Sequence, residues 1–310
     1  MIRPSRLAPL LLSILPLAPT FGDEPPAVAH KEDVIYGRKF GTALTMDVFT
    51  PHKANGAAVV FMVSGGFFSS HEAINEKTVG PLLDRGYTVF AVVHGSQPKF
   101  TLTEIISDVN RALRYIRYHA KDYGIDPDRI GVTGASAGGH LSLILGTNGD
   151  PGDPKAKDPV DRESSRVRAV ACFFPPTDFL NFGGEGKAII HPTDHQRPFR
   201  AAFDYHVLDM AKNLWVPVTD EAKLREITRQ VSPVSHVSSD DAPTLIYHGD
   251  ADTLVPVQQS ESIVEKLKAA GVDAKLVVKP GAGHGWGGMD QDLGKFADWF
   301  DEHMKPAESK

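Results

Sequence analysis

The feature that most constrains this chain is an apolar run that ends in a cluster of very small residues. Residues 130–133 have the composition of a buried strand, the sequence GASAGG follows at 134–139, and residues 140–145 continue as a helix. A turn this sharp between strand and helix crowds the backbone, so only small side chains fit on either side of its central residue. The pattern predicts that Ser136 is held out at the head of a helix. A glycine-rich phosphate loop is the rival interpretation, but it requires the spacing G-x-G-x-x-G and an acidic ribose ligand, which are absent here.

Short β-branched apolar runs alternate with amphipathic stretches from residue 57 onward. This alternation predicts a mostly parallel central sheet flanked by helices, because parallel strands need long connections that are usually helical. The predicted core strands are residues 57–63, 87–93, 130–133, 167–174, 244–247 and 274–278, and an antiparallel hairpin precedes them at 34–40 and 45–49. Apolar residues repeating at three- and four-residue intervals predict helices at 102–122, 256–271 and 293–304.

Residues 178–240 interrupt this alternation between two core strands. The stretch is far longer than an ordinary connection, and its residues 220–230 have a helical pattern. It also contains six large aromatic residues, namely Phe179, Phe182, Phe199, Phe203, Tyr205 and Trp215. These side chains would lack burial partners in a purely solvated loop. We therefore expect a cap inserted over the carboxyl-terminal edge of the sheet.

Composition excludes several classes of protein. Lys and Arg total 33 against 39 Asp and Glu, and the 310 residues contain no basic stripe with interleaved aromatics, so we expect no nucleic-acid partner. Cys172 is the only cysteine, which rules out an intramolecular disulfide. Its apolar neighbours predict a buried thiol in a strand.

The first 22 residues have the layout of a secretory signal peptide. Arg3 and Arg6 precede an apolar run at 7–19, and small or turn-prone residues follow it. The run is too short to span a bilayer and contains prolines, so we expect no stable membrane insertion. The pattern predicts cleavage near Gly22, with Ala29 as an alternative, and a secreted or periplasmic mature domain from residue 23 to residue 310.

A serine hydroxyl becomes a nucleophile only when an imidazole takes its proton and a carboxylate orients that imidazole. After a G-x-S-x-G turn the expected chain order is Ser, Asp, His. Asp252 follows the strand at 244–247, and His284 lies among glycines after the strand at 274–278. Asp250 is the alternative acid. The other histidines of this region, His94, His140 and His248, are interpreted as neighbours of the site.

The chemistry also needs backbone donors for the oxyanion of a tetrahedral intermediate. The strand at 57–63 ends in a loop where Gly65 and Gly66 let the backbone approach a substrate. We predict these two amides as donors, together with the amide of Ala137 after the nucleophile. Candidate substrate-binding residues beside these elements are Phe67, Phe68 and Trp286.

Residues 125–131, 134–140 and 252–256 resemble signature stretches of the esterase and lipase branch of the α/β-hydrolase superfamily. The chain is similar to bacterial feruloyl-esterase-like and hormone-sensitive-lipase-like carboxylesterases over residues 34–303, except in the cap. The resemblance implies an α/β-hydrolase fold with a cap insertion. The chain departs from the family at residues 63–66, which read VSGG where the family usually has HGGG with a histidine that braces the loop.

The resemblance and the triad together predict a serine hydrolase that cleaves carboxylic esters through an acyl-enzyme on Ser136. The expected substrate is a small-molecule or polysaccharide ester, with a short or carbohydrate-linked acyl group. Two alternatives stay open. Residues 231–252 also resemble prolyl-oligopeptidase-type peptidases, and the same fold sometimes yields an inactive binding module.

No cofactor or metal is expected from the sequence. It contains no H-E-x-x-H motif. Four acidic residues fall in one loop, at Asp150, Asp153, Asp158 and Asp161. Their spacing is not that of a calcium-binding loop, so we interpret the segment as solvated.

Overall fold

Eight strands form one central sheet in the computed structural model, which describes residues 28–306. They are β1 (Val28–Lys39), β2 (Thr42–Pro51), β3 (Ala58–Met62), β4 (Thr88–Val93), β5 (Ile130–Ala135), β6 (Ala169–Phe173), β9 (Thr244–Gly249) and β10 (Ala274–Lys279), and a separate hairpin contains β7 (His206–Asp209) and β8 (Leu214–Pro217). The strand order is β1-β2-β4-β3-β5-β6-β9-β10. The first two neighbouring pairs are antiparallel and the other five are parallel. The predicted mostly parallel sheet of an α/β-hydrolase fold is confirmed.

Six α-helices are described: α1 (Glu76–Leu83), α2 (Leu102–Tyr118), α3 (Ala137–Asn148), α4 (Glu221–Gln230), α5 (Gln258–Ala269) and α6 (Met289–His303). Apolar residues of α2, α3 and α5 share one core, and those of α1 and α6 share a second core. In β3, Val60 and Met62 belong to the first core and Val59 to the second. Successive side chains of a strand point to opposite faces, so helices cover both faces of the sheet.

Helix boundaries differ from the predicted ones where local backbone chemistry prevails over periodicity. The α2 helix ends at Tyr118 because the chain then turns toward Gly124, whose φ is +63°. The α6 helix begins at Met289, four residues earlier than predicted, after Gly288 with a φ of +89°. The α1 helix was not predicted, since its interior Pro81 is normally a helix breaker.

The predicted signal peptide, residues 1–22, lies outside the described residues. None of the helices between residues 28 and 306 combines the length and the apolar character needed to cross a membrane. Cys172 is fully buried in β6, as expected, and burial raises the pKa of its thiol.

The long connection runs from residue 174 to residue 243 between β6 and β9 and contains the β7–β8 hairpin and α4. Phe179, Phe203 and Tyr205 are buried, as an inserted cap requires. Trp215 is 65% exposed, so the expectation that it is buried is wrong. Trp215 pairs across the hairpin with Leu208, which is also exposed, because no described element covers this face of the two-stranded sheet.

The contact between β5 and α6 gives a test of the packing. A Cβ atom added at Gly131 would lie 2.7 Å from the Phe300 ring and 3.1 Å from the Met304 sulfur. We expect Gly131→Ala to lower the free energy of unfolding by about 1–3 kcal/mol through overpacking. Urea denaturation measures this change.

The matched control is Gly294→Ala in α6, where an added Cβ would have no neighbour within 4 Å. Alanine is favoured over glycine inside a helix by about 0.5–1 kcal/mol, so this variant should be slightly more stable than the wild type. A Gly131→Ala protein as stable as the wild type would contradict the described packing.

Candidate active site

Ser136 lies at the junction of β5 and α3 in a backbone conformation that residues other than glycine rarely adopt. Its φ is +55° and its ψ is −118°. An added Cβ at Gly134 would lie 2.6 Å from the Gly138 carbonyl carbon, and one at Gly138 would lie 2.7 Å from the Met62 carbonyl oxygen. The small residues around Ser136 are therefore a steric requirement. The strained φ projects the hydroxyl away from the end of the sheet.

The structure brings Ser136, His284 and Asp252 into one hydrogen-bonded line. The Nδ1–H of His284 donates to Asp252 Oδ2 at 2.7 Å, and the Ser136 hydroxyl donates to His284 Nε2 at 2.9 Å. A carboxylate only accepts hydrogen bonds, so it selects the tautomer in which Nε2 is free to accept the serine proton. In this geometry a serine can act as a nucleophile, a histidine as its general base and an aspartate as the acid that orients the histidine.

Asp252 is held by the loop that follows β9. Its side chain is buried, and Oδ1 accepts hydrogen bonds from the amides of Leu254 and Val255, both at 2.9 Å. His248 lies behind it, with Nε2 3.4 Å from Asp252 Oδ2. Burial lowers the pKa of His248, which favours the neutral imidazole. The alternative acid, Asp250, accepts from the Gly281 amide at 2.6 Å and so has a role in the turn.

The loops that carry Asp252 and His284 meet at a glycine. An added Cβ at Gly249 would lie 2.2 Å from the carbonyl oxygen of Ala282, so this approach is possible only without a side chain. The His284 ring also packs on Phe174, with centroids 4.4 Å apart. These contacts fix the distance between acid and base although 32 residues separate them in the chain.

The predicted oxyanion donors differ in whether their amides already have a partner within the protein. The Gly65 amide donates to the Phe68 carbonyl at 3.0 Å, and the Phe68 amide returns a hydrogen bond at 2.9 Å, so Gly65 is engaged in its own turn. Gly66, Phe67 and Ala137 line the cavity beside Ser136, and their amides donate to no residue among 28–306. Of the three predicted donors, the amides of Gly66 and Ala137 are thus available to a bound group, and the amide of Phe67 is available as well.

A histidine from the neighbouring strand braces the oxyanion loop. His94 follows β4, and its Nε2 is 2.8 Å from the Ser64 hydroxyl while its Nδ1 donates to the Gly95 carbonyl at 2.9 Å. Burial lowers the pKa of His94 to about 4, so the ring is neutral and Nε2 accepts from Ser64. This pair supplies a brace where residue 63 lacks the expected histidine. The order β4-β3 in the sheet is what brings His94 to this loop.

Gln97 connects the oxyanion loop to the inserted segment. Its amide donates to the Phe67 carbonyl at 3.2 Å, its side-chain NH₂ donates to the Gly66 carbonyl, and its side-chain oxygen accepts from the Ala202 amide at 3.2 Å. Gln97 is buried. No local sequence pattern predicts this role, because the contact joins segments more than 100 residues apart.

A cavity of ≈ 110 Å³ lies beside Ser136. The inserted segment contributes most of its wall, with the apolar side chains of Phe179, Phe182, Ile189, Phe199 and Phe203. Of the three predicted substrate-binding residues, Phe67 lines this cavity, whereas Phe68 and Trp286 do not. Phe68 is directed to solvent, and Trp286 packs on Phe173 and Phe174 while its Nε1–H donates to Asp292 at 2.7 Å.

Three acidic residues of the loop at 150–161 pair with arginines of α2. In the predicted solvated loop, Asp158 and Asp161 pair with Arg111, and Asp150 pairs with Arg114. Within residues 28–306, one group of metal-ligating side chains converges, namely Asp33, Asp47 and His71. The buried Asp47 carboxylate there already accepts hydrogen bonds from His30 Nε2 at 2.8 Å and from the Asp33 amide at 3.0 Å.

Several known proteins with similar sequences are ester hydrolases by name. The chain is 29% identical to the probable carboxylic ester hydrolase LipM of Mycobacterium tuberculosis over 77% of this chain and 52% of that protein. It is 28% identical to the esterase LipC of the same organism over 84% of this chain and 61% of that protein. The chain therefore spans little more than half the length of these relatives.

Solved structures extend the comparison to the fold. A truncated carbohydrate esterase from gut microbiota superposes with a TM-score of 0.69 at 28% identity, covering 89% of this chain and 96% of that one. A propionate-bound esterase of Thermogutta terrifontis has a TM-score of 0.67 at 24% identity, with 92% and 97% covered, and supports the fold alone.

The family assignment rests on most of the catalytic domain. Residues 46–267 match the BD-FAE family profile, a range that contains Ser136, Asp252 and the oxyanion loop. The resemblance to the esterase branch that the signature stretches indicated is thereby confirmed. This chain belongs to the BD-FAE family, within the esterase branch of the α/β-hydrolases.

Proposed function

We propose that the protein is a serine hydrolase that cleaves carboxylic esters of short acyl groups through an acyl-enzyme on Ser136. The observation that carries this proposal is the hydrogen-bonded line from Asp252 through His284 to Ser136. It ends at a cavity that also exposes backbone donors. An inactive binding module has no need of this alignment.

In the proposed first step, Ser136 Oγ attacks the ester carbonyl carbon while His284 Nε2 takes the hydroxyl proton. The amides of Ala137 and of the Gly66 turn donate to the oxyanion that forms. The tetrahedral intermediate expels the alcohol, which receives the proton from His284. Water then attacks the acyl-enzyme by the same route in reverse, with His284 as base, and releases the carboxylic acid and free Ser136.

Cavity size supports a short acyl group. An engineered cavity of about 150 Å³ in another protein holds one benzene molecule. The cavity at Ser136, with ≈ 110 Å³, is smaller. It therefore suits an acetyl to butyryl chain better than a feruloyl group, and far better than a long lipid chain.

A carbohydrate alcohol on the other side of the ester is part of the proposal. One structural relative that matches along almost its whole length is named a carbohydrate esterase. The layout of residues 1–22 supports export, and we propose a secreted or periplasmic location, where polysaccharide esters occur. We disfavour a prolyl peptidase activity, because LipM, LipC and the carbohydrate esterase are all named for ester hydrolysis.

The two acids of the Asp252 loop provide a matched test of the triad. Asp252→Asn should lower kcat/KM about 10⁴-fold, because the amide no longer selects the His284 tautomer. Asp250→Asn should cost less than about tenfold, because an amide oxygen can still accept from the Gly281 amide. Hydrolysis of nitrophenyl acetate measures both. A larger loss at position 250 would contradict the assignment of the acid.

Gln97 offers a test of the oxyanion loop. Gln97→Leu removes the side-chain contacts to Gly66 and Ala202, so we expect kcat to fall about 10- to 100-fold, with a smaller change in KM. Steady-state kinetics separates the two parameters.

The control is Gln258→Leu, because Gln258 also connects the insertion to the core, through the Gly183 amide at 3.0 Å, but does not contact the oxyanion loop. An equal loss of kcat in both variants would show that Gln97 acts only on general packing.

Substrate preference tests the proposed acyl specificity. We expect kcat/KM to be at least about tenfold higher for nitrophenyl acetate or butyrate than for palmitate, since the cavity cannot hold the longer chain. Acetylated xylan should release acetate. A higher value for a feruloyl ester, for palmitate or for a prolyl amide would overturn the short-acyl assignment.

A further inference from the structure

The inserted segment contributes one histidine to the wall of the cavity at Ser136. His195 is 9% exposed, and its ring stacks on Phe203 with centroids 3.5 Å apart and an interplanar angle of 12°. Phe179 meets the same ring edge-on at 6.0 Å. These aromatic contacts hold the imidazole in one orientation.

The Nε2 atom of His195 is buried and has no hydrogen-bond partner among residues 28–306. An unpaired polar atom in a protein interior is costly and calls for a specific explanation. His140 Nε2 is also unpaired, but His140 does not line the cavity. His195 therefore combines an unsatisfied nitrogen with a position in the wall of the cavity that Ser136 also lines.

The charge state of His195 restricts the chemistry of its partner. Burial lowers the pKa of His195 to about 4, although the Asp194 carboxylate and the Ile189 carbonyl act in the opposite direction. The ring is neutral at neutral pH and carries one donor and one acceptor nitrogen. A hydroxyl group can both donate and accept, so it matches either tautomer.

The surroundings disfavour a charged ligand. Asp194 Oδ2 already accepts from the amides of Ile190 and His191, at 3.0 and 2.9 Å. The other side chains around the imidazole are mainly apolar, and burying an unpaired charge among them would be unfavourable. A short, mostly apolar group with one hydroxyl fits these constraints.

We propose that His195 is a specificity-determining residue that hydrogen-bonds a hydroxyl group of the bound ester. This inference rests on the proposed function and defines its substrate class as hydroxyl-bearing short esters. The hydroxyl can belong to the acyl chain or to the alcohol next to the ester oxygen. The chemistry of recognition is the same in both cases.

Two isosteric substrate pairs separate these sources. In the alcohol pair, 2-hydroxyethyl acetate is compared with propyl acetate. In the acyl pair, ethyl 3-hydroxybutyrate is compared with ethyl 3-methylbutyrate. For each pair, the ratio of kcat/KM for the hydroxylated ester to that for its partner is measured in the wild type and in His195→Phe. Phenylalanine retains a ring for stacking on Phe203 but has no nitrogen.

We expect the ratio to fall about five- to tenfold in His195→Phe for one of the two pairs, which identifies the source of the hydroxyl. Comparing ratios removes any general loss of activity and the different reactivities of the esters. His195→Gln, which retains hydrogen-bonding groups, should keep part of the preference and serves if the phenylalanine variant does not fold. The matched control is His206→Phe, at an exposed histidine of the insertion outside the cavity, and its ratios should equal those of the wild type.

Unchanged ratios for both pairs in both His195 variants would overturn the proposal while leaving the ester hydrolase function standing. An equal change in His206→Phe would also overturn it. If the wild type hydrolysed none of the four esters, the proposed function itself would fail, and this outcome is distinct from a ratio that does not depend on residue 195.

Discussion

The edge of the sheet that carries Ser136 depends on one steric constraint, the close approach of residues 134–139 to the neighbouring strands. Gly138 lies against the carbonyl of Met62 at the end of β3, and a Cβ at Gly139 would lie 2.8 Å from the Phe173 carbonyl at the end of β6. The Ser136 amide donates to that same Phe173 carbonyl at 3.0 Å. Ser136 is thereby positioned by the ends of three strands, namely β3, β5 and β6. The loop after β3 and Phe174 after β6 lie next to it for the same reason. Larger side chains in the turn would separate all of these elements together.

The parts of the structure that could be predicted from the sequence are those governed by local rules. The parallel strands of this sheet are buried on both faces, so each is an uninterrupted apolar run in the sequence. In β3, for example, Val59 and Val60 enter different cores. The positions of Asp252 and His284 follow from chain order, because both come directly after strands whose carboxyl ends meet at one edge. The BD-FAE family match agrees with the predicted fold class. Helix ends were less predictable, because a single left-handed glycine such as Gly288 shifts them.

The inserted segment could not be predicted at the same level, because its contacts are long-range and aperiodic. Trp215 and Phe203 are both large aromatic residues of this segment. Trp215 is exposed on the hairpin, whereas Phe203 is buried against Phe67 with ring centroids 5.7 Å apart. The bracing of the oxyanion loop by His94 became apparent only from the order of β4 and β3. Phe68 and Trp286 are adjacent in sequence to functional elements but point elsewhere. Proximity along the chain is thus a weak guide to which side chains line a cavity.

Gln97 hydrogen-bonds both the oxyanion loop and the inserted segment, and it therefore couples the two. One side chain contacts both the turn that presents the Gly66 amide and the insertion at Ala202, and the Phe199 ring covers Gly66 from the same insertion. Thermodynamic linkage between two such elements is reciprocal. A group that binds and shifts the insertion at Ala202 therefore also acts on the turn that carries the Gly66 amide, and a group that binds this turn acts on the insertion with the same coupling free energy. Substitutions in the insertion are thus expected to alter the Gly66 amide from a distance, without touching it.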